Sequence, residues 1–263
     1  VLRGRFDAVF ALNYHDAYGV LSARASGLRC RLTYMMAGIA SRRYFRTIPH
    51  DGLMFRAVLR RAETVLSVSR MAQRNLLDEF GQSSLLLPAP TDTAAYAAAP
   101  RPAQDGTLRL LFVADADEPR KGAVVLARAF HRVRSSRPDA RLSYSGHASE
   151  ATIATVRAAV PPETAAAIDF LGPGQVGDLP ALYARASVMV NPAVWEAQGM
   201  VFVEALAAGT PVVGCDHGGV PDIVSDRRIG RLFSPGAIVD RAASDDAALA
   251  QAILEASALA ACA

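Results

Sequence analysis

An α/β fold built on parallel, doubly wound sheets is what this sequence predicts. Short apolar runs of strand length alternate with stretches of helical periodicity, and the alternation extends through most of the 263 residues. Loops bearing Gly or Pro follow the strand-like runs. With 51% hydrophobic and 20% charged residues, the chain has material for sizeable cores and is unlike a disordered segment.

In the N-terminal part, strands are expected near 6–12, 31–36 and 64–68, with helices near 17–26, 52–62 and 69–80. The helix at 52–62 is expected to bury Leu53, Phe55, Val58, Leu59 and Ala62 and to expose Arg56, Arg60 and Arg61. Two or three strands do not complete a domain of this type, so 1–90 reads as a partial Rossmann-like domain. The Pro-, Ala-, Asp- and Thr-rich stretch 91–106 reads as a linker. From 107 to 263, strands are expected at 108–114, 141–145, 168–171, 188–191, 211–214 and 230–233. Helices are expected between them, near 122–136, 151–159, 178–186, 200–208 and 245–259. In the first of these, Leu126, Phe130 and Val133 share one face while Arg128, Arg132 and Arg134 point elsewhere. These elements make a second, complete Rossmann-like domain. Its ligands are expected at the carboxyl ends of the strands. The chain lacks an initiator Met and opens almost directly in a strand, and 256–263 closes no element. A missing N-terminus and a clipped C-terminus are therefore expected.

The net charge of +3 hides an asymmetry. Residues 1–100 carry 13 arginines against 7 acids, whereas 101–263 carry 15 basic groups against 18 acids. The basic half suits an anionic surface or substrate. Arg42, Arg43 and Arg46, with the arginines of the 52–62 helix, make it a candidate for peripheral membrane contact; a solvated amphipathic helix is the plainer alternative. Cys30, Cys215 and Cys262 form no metal-ligand pattern and suggest unpaired thiols in a reducing, cytoplasmic setting. No apolar run of 18 residues lacks a charge, and no leader opens the chain. No metal site and no nucleic-acid partner are expected.

The segment Glu196-Ala-Gln-Gly-Met-Val-Phe-Val-Glu204 carries the functional reading. A strand ends before it, Gly199 allows a tight turn into a helix, and Gly209-Thr-Pro stops that helix. The helix N-terminus then points its N–H groups and dipole at the ligand edge, which suits a diphosphate. Glu204, one turn inside, can reach a ribose diol, and Glu196 stands in the loop where a sugar ring would lie. One carboxylate per sugar across a helix-cradled diphosphate describes a sugar-nucleotide site; a strand–loop–helix with solvated acids is the alternative.

A second loop, Ala114-Asp-Ala-Asp-Glu-Pro-Arg-Lys-Gly122, follows the strand at 108–114. Arg120 and Lys121, the only lysine against 27 arginines, could neutralise charge on a departing nucleoside diphosphate. Gly172-Pro-Gly-Gln-Val-Gly177 matches the dinucleotide fingerprint, but it lies mid-domain before a short helix. A loop brushing the nucleotide through Gly172 is the preferred reading over an oxidoreductase. Gly218-Gly-Val-Pro-Asp222 reads as a loop near the phosphates or a plain turn, and His15 and His50 lie in N-terminal loops, solvated or touching an acceptor.

Glu196-x7-Glu204 followed by Ala-Leu-Ala-Ala-Gly-Thr-Pro-Val-Val resembles the E-x7-E signature of family 4 glycosyltransferases of the GT-B fold. Asp117-Glu-Pro-Arg-Lys-Gly122 is similar to the diphosphate loop of its phosphatidylinositol mannosyltransferase branch. Leu171-Gly172, Asn191-Pro192 and Gly219-Val-Pro-Asp-Ile-Val224 fall in the matching order, and Ala62-Glu-Thr-Val-Leu-Ser-Val-Ser69 resembles the strand that ends the first domain. The resemblance implies retaining, metal-independent transfer of a hexosyl group from a UDP- or GDP-sugar to a glycan or lipid acceptor, without a further cofactor. It assigns Glu196 to donor sugar hydroxyls, the backbone of Gln198, Gly199, Met200 and Val201 to sugar and phosphate, and Glu204 to ribose. Arg120 and Lys121 would stabilise the leaving diphosphate. Three departures stand out: Ala114-Asp115 where Gly-Arg is frequent, Gln198 in place of an aromatic residue, and Met35 or Met36 in place of an acceptor-side His. A non-catalytic sugar-nucleotide-binding fragment and a GT-B sugar-nucleotide epimerase are the alternatives.

Overall fold

The computed structural model describes residues 6–103, 105–174, 176–239 and 242–260, so Cys262 and Gln175 lie outside the described residues. The fold is α/β with two parallel sheets, as the alternation predicts. The chain divides into two compact units. One runs to Ala89 and takes in Glu196–Gln198; the other comprises Pro90–Trp195 and Gly199–Ala263.

In the first unit, β1 (Ala8–Ala11), β2 (Arg31–Met36), β3 (Thr64–Ser67) and β4 (Leu85–Leu86) pair in that order, all parallel. Leu32 and Tyr34 of β2 face Phe55, Val58 and Leu76 in the core. Phe55 stacks on Phe45 at 4.8 Å and meets Phe80 edge-on at 4.9 Å. The helix expected at 52–62 starts earlier, as Pro49–Arg61, and Leu53 is 71% exposed rather than buried. At 100° per residue Leu53 lies nearly opposite Phe55, and the buried stripe is Asp51, Gly52, Phe55, Val58 and Leu59. Strand β4 and the helix Arg42–Thr47 were not foreseen; two and six residues are too short for periodicity to register.

In the second unit, β5 (Arg109–Val113), β6 (Arg141–Ser145), β7 (Ile168–Gly172), β8 (Val188–Asn191), β9 (Val212–Cys215) and β10 (Gly230–Phe233) form one parallel sheet. Their order is β10-β9-β8-β5-β6-β7, so the chain winds outward from β5 in one direction and from β8 in the other. Strands β8 and β9 are buried at every residue, as central strands covered on both faces must be. Leu126, Phe130 and Val133 are fully buried on the helix Ala123–Ser136, packing with Leu110, Phe112 and Leu142. The opposite face holds Leu111, Tyr183, Met189, Phe202 and Val212.

Residues 91–106 fall in this second unit. Tyr96, on the short helix Ala94–Ala97, lies 5.8 Å from the Tyr183 ring. The Arg101 guanidinium donates to Thr210 Oγ1 at 3.1 Å, to the Ala208 carbonyl at 3.4 Å and to the Gly209 carbonyl.

At the carboxyl edge, the exits of β5, β6 and β7 are pressed together. Ala114 N–H donates to the Ser145 carbonyl at 3.1 Å, and Gly146 N–H to the Gly172 carbonyl at 3.0 Å. Gly146 has φ +125°, and a Cβ there would stand 2.1 Å from the Ala114 carbonyl oxygen. Gly172 has φ +71°, but nothing lies within 4 Å of its missing Cβ. Gly172→Ala should therefore cost about 1–2 kcal/mol in urea unfolding. Gly146→Ala adds a backbone collision and should cost about 3 kcal/mol or more; equal losses would contradict this packing.

Candidate functional site

Strands β5 and β8 are neighbours, with Leu110 opposite Val188 and Leu111 opposite Met189. Their following connections run to opposite sides, which opens a crevice at the carboxyl edge. After β5 the chain makes a 3-10 turn, Pro119–Lys121, closed by Lys121 N–H to the Glu118 carbonyl (2.9 Å) and Gly122 N–H to the Pro119 carbonyl (3.0 Å). Gly122, at φ +75°, ends this turn and begins the helix Ala123–Ser136. A Cβ there would meet Pro192 Cγ at 2.9 Å. Val194 N–H donates to the Arg120 carbonyl at 2.9 Å. The loops after β5 and β8 are thus clasped, with the Arg120 backbone held against Val194 and Gly122 against Pro192.

The β5 loop is fixed from its other side as well. Asp117 accepts from Ser149 N–H at 2.9 Å and Ser149 Oγ at 3.0 Å, and His147 Nε2 lies 3.2 Å from it. Hydrogen bonds from Thr152 and from Ser149 hold its pKa down at about 2. Arg120 pairs with Glu118 at 2.8 Å.

Past β8, Asn191 is 1% exposed and its Oδ1 accepts from Ala193 N–H at 3.1 Å, while its Nδ2 is buried without a partner. Gly199, at φ +92°, begins the helix Met200–Ala207, and no side chain caps that end. The other end is fully terminated: Gly209 N–H donates to the Leu206 carbonyl and Thr210 N–H to the Ala205 carbonyl, both at 2.9 Å. Glu204 is half-buried and accepts from the buried Tyr183 hydroxyl at 2.8 Å. Burial, followed by the Glu204 charge, pushes the Tyr183 pKa up, so this hydroxyl stays a donor. The carboxylate retains capacity for further donors.

Glu196–Gln198 group with the first unit. Ala197 is buried beside Met35, Leu66, Val68 and Ala72. The Gln198 amide pairs with Ala89, accepting from its N–H at 2.8 Å and donating to its carbonyl at 3.2 Å. That pairing leaves Gln198 8% exposed. Met200 and Val201 open the helix, and Gly172 ends β7, two strands from β5 and outside the clasped loops. The fingerprint-like stretch there follows an outer strand and precedes a seven-residue helix, Leu179–Arg185, which does not suit a dinucleotide pyrophosphate.

Two residues gave no signal in the sequence reading. Trp195 is the one non-glycine residue with positive φ among those described, at +58°, and is 45% exposed. Its N–H donates to His217 Nδ1 at 3.2 Å, and the two rings meet edge-on at 4.6 Å. That bond places the neutral imidazole's proton on Nε2. Burial lowers the His217 pKa, opposed by Asp216. Backbone held in a sparsely populated conformation clusters at binding sites. Among the described residues no group of three or more His, Cys, Asp or Glu is placed to hold a metal ion, and no helix is long and apolar enough to cross a membrane. Cys30 and Cys215 are free thiols.

The model of the family of glycosyl transferases group 1 matches residues 107–258. Phosphatidyl-myo-inositol mannosyltransferase of Mycobacterium tuberculosis (strain ATCC 25618 / H37Rv) is 33% identical over 178 residues, 64% of this chain and 44% of that protein. Its counterpart in Mycobacterium leprae (strain TN) is 30% identical over 192 residues, 72% of this chain and 48% of that protein. The chain thus spans less than half the length of these relatives. Among solved structures, Anabaena HepE in complex with UDP superposes with a TM-score of 0.74 at 19% identity, covering 97% of this chain and 74% of that one. Sucrose-phosphate synthase from Thermosynechococcus elongatus gives 0.78 at 19% identity, covering 97% and 67%. These two speak to the fold, which is of the GT-B type.

Because its folded pKa is lowered, neutral His217 contributes stability that is present above the ordinary imidazole pKa and lost as pH falls through the folded value. Protonation of Nδ1 also removes the acceptor for Trp195 N–H. The emission of this single tryptophan should therefore titrate with a midpoint below the ordinary imidazole value, and His217→Gln should abolish the transition. A midpoint at or above that value would contradict the assignment.

Proposed function

The chain belongs to the glycosyl transferases group 1 family, and from that membership we propose that it carries the donor site of a retaining hexosyltransferase using a nucleoside diphosphate sugar. The observation that supports this reading best is the clasp of Gly122 on Pro192 and of Val194 on Arg120. It joins the loop that carries Arg120 and Lys121 to the loop that leads from β8 towards the uncapped helix Met200–Ala207, at the sheet's switch point. Cations and helix N–H groups converging on one edge suit a diphosphate on which charge grows as the sugar departs.

In the proposed reaction, the bond from the anomeric carbon to the diphosphate oxygen breaks, and a bond to an acceptor hydroxyl forms on the same face. The hydroxyl proton passes to the leaving diphosphate, so no protein nucleophile is required. Arg120 and Lys121 stabilise the leaving group, Glu196 holds donor sugar hydroxyls, and the Gly199–Val201 backbone meets sugar and phosphate. Glu204, aligned by Tyr183, takes the ribose diol. Gly172 stands on the same carboxyl edge, for contact with the outer part of the nucleotide. The UDP complex of Anabaena HepE makes a uridine nucleotide the first donor to test, with GDP-sugars the alternative suggested by the mannosyltransferase relatives. A glycan or lipid-linked acceptor fits a cytoplasmic membrane face, where Tyr44 and Leu53 are exposed among Arg42, Arg43, Arg46 and Arg56.

Thermal shift against UDP-, GDP- and ADP-sugars identifies the donor, since ligand binding raises apparent stability. With that donor, Glu204→Ala should weaken binding of the nucleoside diphosphate itself, roughly tenfold to a hundredfold by calorimetry. Glu196→Ala should weaken only the intact sugar nucleotide; equal loss of diphosphate affinity in both variants would contradict these roles. Lys121→Ala should leave donor binding within about tenfold and slow transfer about a hundredfold or more. An isomerised sugar nucleotide formed without acceptor would instead indicate an epimerase.

A further inference from the structure

We propose that the amino edge of the sheet in the second unit carries a binding cleft for a small phosphomonoester, separate from the candidate donor site. Arg109 opens β5, Arg141 opens β6, and Asp169 is the second residue of β7. Register pairs Arg109 with Arg141 and Ser143 with Asp169, so these side chains share one face of the sheet. Leu110, Phe112, Leu142 and Tyr144 alternate with them and are buried in the core on the other face. The polar face meets the end of the helix Leu179–Arg185 and the segment 101–107. Between them lies a cleft of about 550 Å³, a size ordinary for small-molecule sites.

Among the described residues that line the cleft, Arg101, Arg109, Arg141 and Arg185 are balanced only by Asp105 and Asp169, an excess of two positive charges. Residues 101–263 as a whole carry more acids than bases, so this concentration runs against its surroundings. The aspartates hold the two strand arginines in place. Asp105 accepts two N–H groups of Arg109, both at 2.7 Å, and Asp169 accepts one of Arg141 at 2.9 Å. Arg101 reaches the end of the helix Met200–Ala207 through one terminal nitrogen. Among the described residues, no hydrogen bond or ion pair reaches Arg185. A guanidinium offers several N–H groups and accepts none, so the cleft holds far more donors than acceptors. Its ligand must bring acceptor oxygens and negative charge.

A phosphomonoester meets both demands. At neutral pH it carries roughly −1.5 to −2 charges on its outer oxygens, which guanidinium forks take in pairs. A neutral sugar would leave the excess charge uncompensated, and a metal cation would be repelled by it. A nucleic acid or an acidic polypeptide needs an extended track, whereas this cleft is bounded by the segment 101–107 and the helix Leu179–Arg185. Leu171, 47% exposed, and the half-buried Leu182 give the ester's carbon skeleton an apolar contact. The loops that carry Arg120, Lys121 and Gly199 follow the carboxyl ends of β5 and β8, at the opposite edge of the sheet.

The test is calorimetric titration of the whole chain at low ionic strength with glycerol 3-phosphate, succinate and glycerol, each with and without excess UDP. Glycerol 3-phosphate should bind, succinate at least about fivefold more weakly, and glycerol not at all. Excess UDP should leave the glycerol 3-phosphate affinity within about twofold, because the two ligands sit at opposite edges of the sheet. Arg185→Ala should weaken glycerol 3-phosphate roughly fivefold to tenfold with thermal unfolding unchanged, since that side chain is exposed. Ser143→Asp, which adds a carboxylate to the polar face, should abolish binding. No binding of glycerol 3-phosphate, equal binding of succinate, displacement by UDP, or full affinity in Arg185→Ala would each overturn the proposal. The wild-type and Arg185→Ala titrations decide it even if Ser143→Asp folds poorly. Failure of UDP itself to bind counts against the donor reading and leaves this cleft untouched.

Discussion

The connections that follow β5 and β8 depart to opposite sides of the sheet, and they meet at its carboxyl edge because residue 122 has no side chain to hold Pro192 away. The contact is reinforced by one backbone hydrogen bond, Val194 to Arg120. From these two points the rest of the edge takes its register. Arg120 and Lys121 are positioned by a single tight turn, and the course of the chain from Pro192 to Gly199 is set before the helix begins. The strain at Trp195 belongs to that stretch, and its bond to His217 extends the arrangement to the loop after β9.

Much of the second unit was legible because its elements repeat one pattern. All six of its strands are legible to within a residue, and central parallel strands such as β8 and β9 are continuous apolar runs bounded by Gly, Pro or Asn. The helix face of Leu126, Phe130 and Val133 followed from spacing alone. The partners of the site were less legible. Nothing in the local sequence says that Tyr183 will support Glu204 or that His217 will receive the Trp195 amide, because each pair joins loops or helices 21 and 22 residues apart. Spacing marked where the carboxylates lie, and tertiary packing decides what holds them.

The first unit was harder to read for a different reason. Its core is aromatic and small, with Phe45, Phe55 and Phe80 gathered from three helices, so one misplaced face changes the reading of an entire helix. Leu53 looked like a core residue by type, whereas Asp51 and Gly52 occupy the inner positions by angle. A carboxylate in that stripe breaks the rule that apolar residues fill it, and such local violations concentrate where function demands them.

The helix Met200–Ala207 is terminated unequally. Its carboxyl end is closed by two backbone bonds and by the Arg101 guanidinium reaching over from the preceding segment. Its amino end begins at a glycine that offers no side-chain oxygen. Eight residues give little intrinsic helical stability, so the free end is the one that frays. An anion seated there supplies what a serine or aspartate supplies in other helices. On the proposed reading, the first turn of this helix is a part of the protein that the donor diphosphate completes, and its rigidity becomes a function of donor concentration.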